Sequence, residues 1–78
     1  MKRTLYFQTL RQRPDRAWIQ DEWIVRTIST PDKEVVQSDG RIRRWKMIVE
    51  AGNRVLRVVL LADEETVHNA FFDRNIHL

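Results

Sequence analysis

The chain contains no cysteine, which excludes disulfide bonds, thiolate nucleophiles and thiolate metal ligands together. Glycine and proline number two each, too few for a low-complexity tail, and Gly40 and Gly52 stand too far apart to make a glycine-rich phosphate loop. His68 and His77 are the only histidines. Neither belongs to a His-x-x-x-His pair or sits in a carboxylate cluster, so no metal and no cofactor are expected. No serine lies in a G-x-S-x-G elbow, which removes the hydrolase nucleophile. The longest apolar run, Val58-Val59-Leu60-Leu61-Ala62, falls far short of the ~20 residues a membrane span requires. Behind Lys2-Arg3 the run Leu5-Tyr6-Phe7 is too short for the apolar core of a signal peptide. These absences predict a cytoplasmic chain with no membrane contact.

What is present reads as one domain over residues 1–78. A domain of this size buries only ~60% of the surface its unfolded chain exposes. Without disulfides or a metal, such a domain often completes its core with a second copy or a partner. Cations outnumber acids, 14 Lys+Arg against 11 Asp+Glu, and the only lysines are Lys2, Lys33 and Lys46. Arginine is the side chain suited to bidentate recognition of phosphate and to stacking on bases. The cations concentrate between Arg41 and Arg57, where Arg41, Arg43, Arg44, Lys46, Arg54 and Arg57 face one acid, Glu50. That stretch is the candidate basic patch.

Periodicity divides the chain at Pro31. Tyr6, Phe7 and Leu10 lie on one face of a short helix between Thr4 and Gln12, although an extended Leu5-Tyr6-Phe7 is a rival reading. Pro14 ends that segment, because it disfavours the α region at Arg13. Ile19, Trp23, Ile24 and Ile28 predict a second helix from Trp18 to Ser29, with Asp21 and Glu22 suited to its N-terminus and Pro31 stopping it. Beyond Pro31, Glu34–Gln37 reads as a strand and Asp39-Gly40 as a hairpin turn. Arg41–Glu50 reads as a second strand with Trp45, Met47 and Val49 on one face. Val55–Leu61 makes a third strand and Thr66–Phe72 a fourth. The expected fold is α+β, two short N-terminal helices followed by a four-stranded antiparallel meander.

The third strand is apolar on both faces, Leu56, Val58 and Leu60 on one and Val55, Val59 and Leu61 on the other. Two short helices cover one face only, so the other needs the C-terminal tail, a second subunit or a separate protein. The simpler alternative is cover by arginine stems and Trp45. Ile42 and Trp45 both look buried yet differ in parity, which places a bulge near Arg43–Arg44.

Two constellations could carry chemistry. Arg41, Arg43, Arg44 and Lys46, interleaved with Trp45, suit a single-stranded nucleic acid, whose bases stack and whose phosphates pair with cations. Their bland reading is a solvated strand face neutralised by Glu34, Asp39 and Glu50 across the sheet. In the last strand, alternation puts Thr66, His68, Ala70 and Phe72 on one face and Val67, Asn69 and Phe71 on the other. His68 is the candidate general acid or base for metal-independent RNA cleavage, with Arg57 and Arg74 to stabilise charge at phosphorus. The bland reading makes His68 a cross-strand hydrogen-bonding residue and Asp73–Arg74 a local ion pair.

The runs Ser38-Asp39-Gly40-Arg41-Ile42-Arg43-Arg44-Trp45, Val55-Leu56-Arg57-Val58-Val59-Leu60 and Val67-His68-Asn69-Ala70-Phe71-Phe72-Asp73-Arg74 resemble a family of small uncharacterised bacterial proteins. The layout is similar in turn to RelE/ParE-like toxins, in which helices precede an antiparallel sheet and the activity is mRNA cleavage or gyrase poisoning. In the ribonuclease members, basic residues on the sheet and near the C-terminus act on RNA, and the positions here that match are Arg44, Lys46, Arg57, His68 and Arg74. The chain is less basic than the ribosome-dependent toxins and has no Tyr near its C-terminus. The resemblance implies a toxin-like RNA-interacting domain, in its sharper form a metal-independent endoribonuclease, with RNA, an antitoxin-like protein or a second copy in a homodimer as partner. The alternative is a non-enzymatic interaction module that binds a protein, or its own copy, through an exposed sheet face.

Overall fold

A computed structural model describes all residues 1–78. Helices α1 (Leu5–Leu10), α2 (Pro14–Ala17) and α3 (Asp21–Ser29) precede strands β1 (Lys33–Val36), β2 (Ile42–Ile48), β3 (Arg54–Leu60) and β4 (Val67–Phe72), with one 3-10 turn at Val49–Ala51 between β2 and β3. The strands form a single antiparallel meander in the order β1-β2-β3-β4. The α+β class, with helices before Pro31 and strands after it, is as the periodicity predicts.

Local chemistry explains the helices. Thr4 caps α1, its hydroxyl accepting from the Phe7 amide at 3.1 Å, as the preference for Thr at this position requires. Pro14 ends the first helical segment, but it also opens a one-turn helix that periodicity did not reveal. It occupies the first turn of α2, where its missing N–H costs nothing and its fixed φ is already helical. The second expected helix therefore begins at Asp21 rather than Trp18. Asp21 and Glu22 lie in the first turn of α3. Gly40 takes the left-handed conformation at the β1–β2 turn (φ 89°), with its amide donating to the Gln37 carbonyl at 3.0 Å, so the Asp-Gly signal marks the turn correctly.

The sheet has two unlike faces. Facing the helices, Leu56, Val58 and Leu60 of β3 join Ile42, Ile48, Val67 and Ala70, and pack on Phe7, Ile19, Trp23 and Ile24 in one core. In an antiparallel pair, directly opposed residues point to the same side. The register Ile42↔Leu60, Arg44↔Val58 and Lys46↔Leu56 therefore puts Arg44 and Lys46 on the helix side. Arg43↔Val59, Trp45↔Arg57 and Met47↔Val55 occupy the opposite, open side.

Two expectations need correction. Pairing of β2 runs unbroken through Arg43–Arg44, so no bulge lies there. Ile42 is buried beneath the helices and Trp45 on the open side, and their different parity reflects two buried faces. The irregularity falls instead in β4, where Val59 faces Asn69 and Leu60 faces Val67, which leaves His68 as the extra residue of a bulge. The shift brings Val67 onto the same face as Ala70 and Phe72, contrary to simple alternation. Val49 has left the strand for the 3-10 turn, and Met47 and Val49 are exposed while Trp45 is buried.

Candidate nucleic-acid interface

A single transverse row organises the open face. Lys33, Trp45, Arg57 and Phe71 are successive directly opposed positions across β1, β2, β3 and β4. The Lys33 ammonium lies 5.7 Å and the Arg57 guanidinium 5.6 Å from the Trp45 ring centroid. Arg57 also lies 5.1 Å from the Phe71 ring, and Arg16 of α2 lies 5.4 Å from that ring. Each ring is thus held between two cations, an arrangement in which every contact contributes about 0.5–2 kcal/mol depending on desolvation. Arg16 Nη1 donates to Asn69 Oδ1 at 3.1 Å, which ties α2 to the same face.

This row buries apolar surface that the helices cannot reach. Trp45 is only 5% exposed and Val59 8%. Trp45 is covered by cationic side chains of the same chain, with its indole N–H donating to Asp73 Oδ2 at 3.1 Å. Val35 and Met47 on this side remain 40% and 43% exposed. Arg57 is the least satisfied cation of the row. Its Nη1 lies 3.9 Å from Asp73 and its buried Nε has no hydrogen-bond partner. Burial, then the nearby charge of Arg43, pushes its pKa down against the pull of Asp73.

The expected binding residues divide between the faces. Arg44 reaches under the sheet: Nη1 donates to the Ile28 carbonyl at 3.1 Å, and the guanidinium pairs with Glu34 at 2.6 Å and Glu64 at 3.1 Å. Lys46 Nζ donates to the Thr30 carbonyl at 2.7 Å and lies 3.7 Å from Asp32. Both cations therefore serve the C-terminal end of α3, where positive charge complements unsatisfied carbonyls. Arg41 is exposed at the hairpin, 3.8 Å from Asp39. Arg43 alone of the four presents itself on the open face, where the Gln37 amide, turned oxygen-inward, accepts from its Nε at 2.7 Å.

The proposed catalytic set is likewise dispersed. His68 sits in the β4 bulge, its Nδ1 3.2 Å from Thr4 Oγ1 and its ring stacked on Tyr6 at 5.0 Å. Burial, then the Arg41 charge, lowers its pKa from the ordinary histidine value. Arg74 lies six positions further along the chain, beyond the C-terminal end of β4. Arg57 lies in the row on the open face, Arg74 lines the cleft at the row's end, and His68 packs against Tyr6 and Thr4. Arg74 makes no ion pair with Asp73, whose carboxylate is taken by Trp45, by the Asn75 amide at 3.0 Å and by Arg57.

A cleft of about 550 Å³ opens where the row ends, between α2, the start of β3 and the C-terminal segment. Arg16, Trp18, Arg54, Phe71, Arg74 and His77 are among its lining residues. Trp18 stacks on Phe72 at 4.8 Å, and the Arg54 guanidinium lies 5.4 Å from the Trp18 ring. Sequence reasoning missed Arg16, Trp18 and His77 as site residues. The only available signal was the Arg-x-Trp spacing after Pro14; nothing local shows that this segment meets the chain's C-terminal end.

Charge pairing separates the two sides further. Lys2, Arg3, Arg11, Arg16, Arg26, Arg41, Arg44, Lys46 and Arg57 each have a carboxylate within 4.0 Å. Arg13, Lys33, Arg43, Arg54 and Arg74 have none. Lys33 and Arg43 lie on the open face, and Arg54 and Arg74 line the cleft. Comparison with protein-family models, with curated proteins and with solved structures finds no match to this chain.

Proposed function

We propose that the domain binds single-stranded RNA across the open sheet face and the cleft at its end, as a toxin-like RNA-interacting domain. One observation carries the reading. Apart from Arg13, every cation without a carboxylate partner lies on this face or in this cleft, whereas the cations under the helices are neutralised. An anionic strand would complete an unbalanced surface, releasing counterions as phosphates replace them. Trp45 is too enclosed to stack a base, so the face contributes phosphate contacts, and base contact falls to the more exposed rings near the cleft.

The test is fluorescence anisotropy with a labelled single-stranded RNA over a range of salt. Affinity should fall steeply with ionic strength, and Arg43→Ala should flatten that slope. Binding indifferent to salt would overturn the reading. In its enzymatic form the domain cleaves RNA in the presence of EDTA; cleavage by wild type that persists unchanged in Arg57→Ala, His68→Ala and Arg74→Ala would remove those side chains from the chemistry.

A second reading, a protein-interaction module, rests on the edge strand β1. Val35 and Val36 are 40% and 63% exposed there, beside a row of backbone groups with no neighbouring strand. Such an edge accepts an added strand from a second copy or from an antitoxin-like protein. Light scattering that gives twice the chain mass, and a monomer after Val36→Lys, would support it.

A further inference from the structure

The open face and the cleft differ in one respect that bears on what they bind. On the face, each ring of the row is enclosed between cations. In the cleft, a half-exposed indole and guanidiniums without carboxylate partners share one recess. Trp18 remains 41% exposed, backed by Phe72 and with the exposed Arg54 guanidinium as the cation against its ring. Arg54 and Arg74 are both exposed and both free of ion pairs. Two carboxylates line the same recess, but both are engaged. Asp15 lies 3.5 Å from Arg16. Asp73 is held by Trp45, Asn75 and Arg57. The cleft volume, about 550 Å³, lies within the range of about 300–1,000 Å³ that encloses a small organic ligand.

We infer that this cleft is a nucleotide subsite, which takes one ribonucleoside monophosphate unit with its phosphate on Arg54 and Arg74 and its base against the half-exposed Trp18 ring. The assignment rests on the RNA-binding reading and sharpens it by naming where a base is held. Guanidinium groups suit the recognition, because their planar donor fork matches phosphate oxygens and their faces stack on rings. Arg54, already resting on Trp18, contributes through both properties. Base stacking on an aromatic side chain is tolerant of sequence, so the subsite should accept purine and pyrimidine alike, the purine more tightly for its larger ring. His77 lines the same recess and offers a ring nitrogen for hydrogen bonding to ribose or phosphate.

The chemistry is the same for a free nucleoside monophosphate and for one unit of an RNA strand, and titrations separate the sources. Isothermal calorimetry and two-dimensional NMR would be run with AMP, adenosine, ribose 5-phosphate and a short oligoadenylate. AMP should bind at least tenfold more tightly than adenosine or ribose 5-phosphate, and shift the Trp18 indole and Arg54 resonances. An Arg54→Ala/Arg74→Ala variant should lose at least tenfold in affinity for AMP and for the oligonucleotide, while Lys2→Ala keeps both. Circular dichroism checks that the double variant remains folded, and single Arg54→Lys and Arg74→Lys variants, which keep the charge and lose the planar fork, should show intermediate loss. AMP binding with no oligonucleotide binding makes the cleft a free-nucleotide site and overturns the RNA reading alone. Salt-dependent oligonucleotide binding that survives the double variant, with no AMP shifts at Trp18, overturns the subsite and leaves the RNA reading standing.

Discussion

The two faces of the sheet solve the same burial problem with different materials. Beneath the helices, β3 offers Leu56, Val58 and Leu60 to an apolar layer, and the two cations that intrude, Arg44 and Lys46, are matched to carbonyls and carboxylates. On the open side the chain itself supplies no second apolar layer. Trp45 is instead closed over by Lys33 and Arg57 and by the clasp of Asp73 on the indole. The difference teaches that a two-faced apolar strand does not by itself demand a partner. Long cationic stems cover apolar surface while their heads stay near water, and rings between cations are bound electrostatically as well as by burial. The residual effect is chemical, because the side covered by cations keeps an excess of positive charge.

Breaking the open-side cover should have the largest effect. Trp45→Ala removes a ring as enclosed as a core residue and leaves Lys33 and Arg57 without their stacking surface. It is expected to cost about 3–5 kcal/mol, similar to Leu60→Ala at about 2–5 kcal/mol on the opposite face. Urea denaturation of both variants checks whether the two faces are energetically comparable. A loss under about 1 kcal/mol for Trp45→Ala would mean that the row is decoration on a one-sided core.

Next in size is Arg44→Ala, which strips the α3 C-terminus of a donor and leaves Glu34 and Glu64 facing a gap. A loss of about 1–3 kcal/mol is expected for so enclosed a group, measured in the same denaturation assay. Arg43→Ala, one residue away but on the other side, should change stability by no more than about 0.5 kcal/mol. Its effect should fall on RNA binding, with the slope of log affinity against log salt reduced by about 0.7–0.9. Neighbouring arginines with opposite profiles would sharpen the contrast between faces.

The smallest expected effect concerns the β3–β4 turn. The Asp63 carboxylate accepts from the Glu65 and Thr66 amides, both at 2.9 Å, and from the Thr66 hydroxyl at 2.5 Å. The Thr66 contacts lead in lowering its pKa to about 2, from 3.8. A carboxylate depressed in the folded state contributes stability that is complete above its unfolded pKa and is lost as pH falls through the folded one. Asp63 should therefore add to acid destabilisation between about pH 4 and pH 2. Thermal melts of wild type and Asp63→Asn across that range check it: the wild type should lose more of its melting temperature on acidification than the variant. His68, also depressed, acts at higher pH. Burial of its neutral ring withdraws stability as pH falls from its ordinary pKa through the lowered one, and NMR titration of its ring protons should place the folded value below that of a free histidine.

Sequence reasoning located the boundary at Pro31, the Asp39-Gly40 turn and the meander because each depends on neighbours within a few residues. Pro31 cannot continue a helix, Gly40 takes φ 89° at little cost, and β3 alternates with a period of two. The core face of β3 was readable for the same reason. Where the reading went astray, the cause was distant. Ile42 and Trp45 differ in parity because separate parts of the molecule bury them, the helices and the cationic row, and no local pattern distinguishes that from a bulge. The true bulge at His68 arises from matching β4 to β3, and simple alternation hides it.

Candidate chemistry followed the same division. Composition and spacing alone determined the α+β class, the absence of thiolate chemistry and a stretch rich in arginine, since these depend on which residues are present and on short-range periodicity. Which of those arginines are free was decided only by the tertiary structure. Arg43 and Arg44 are adjacent in the chain and point to opposite sides of a pleated strand, so one meets Glu34, Glu64 and the end of α3 while the other meets no carboxylate. His68 and Arg74, close in sequence, are held apart by the extended strand between them. Trp18, Arg54 and His77, far apart in sequence, line one cleft because the meander brings the start of β3 beside the end of β4 and α2 closes over both. A charge is recognisable from its residue type, but whether it is neutralised depends on long-range pairing, which folding establishes.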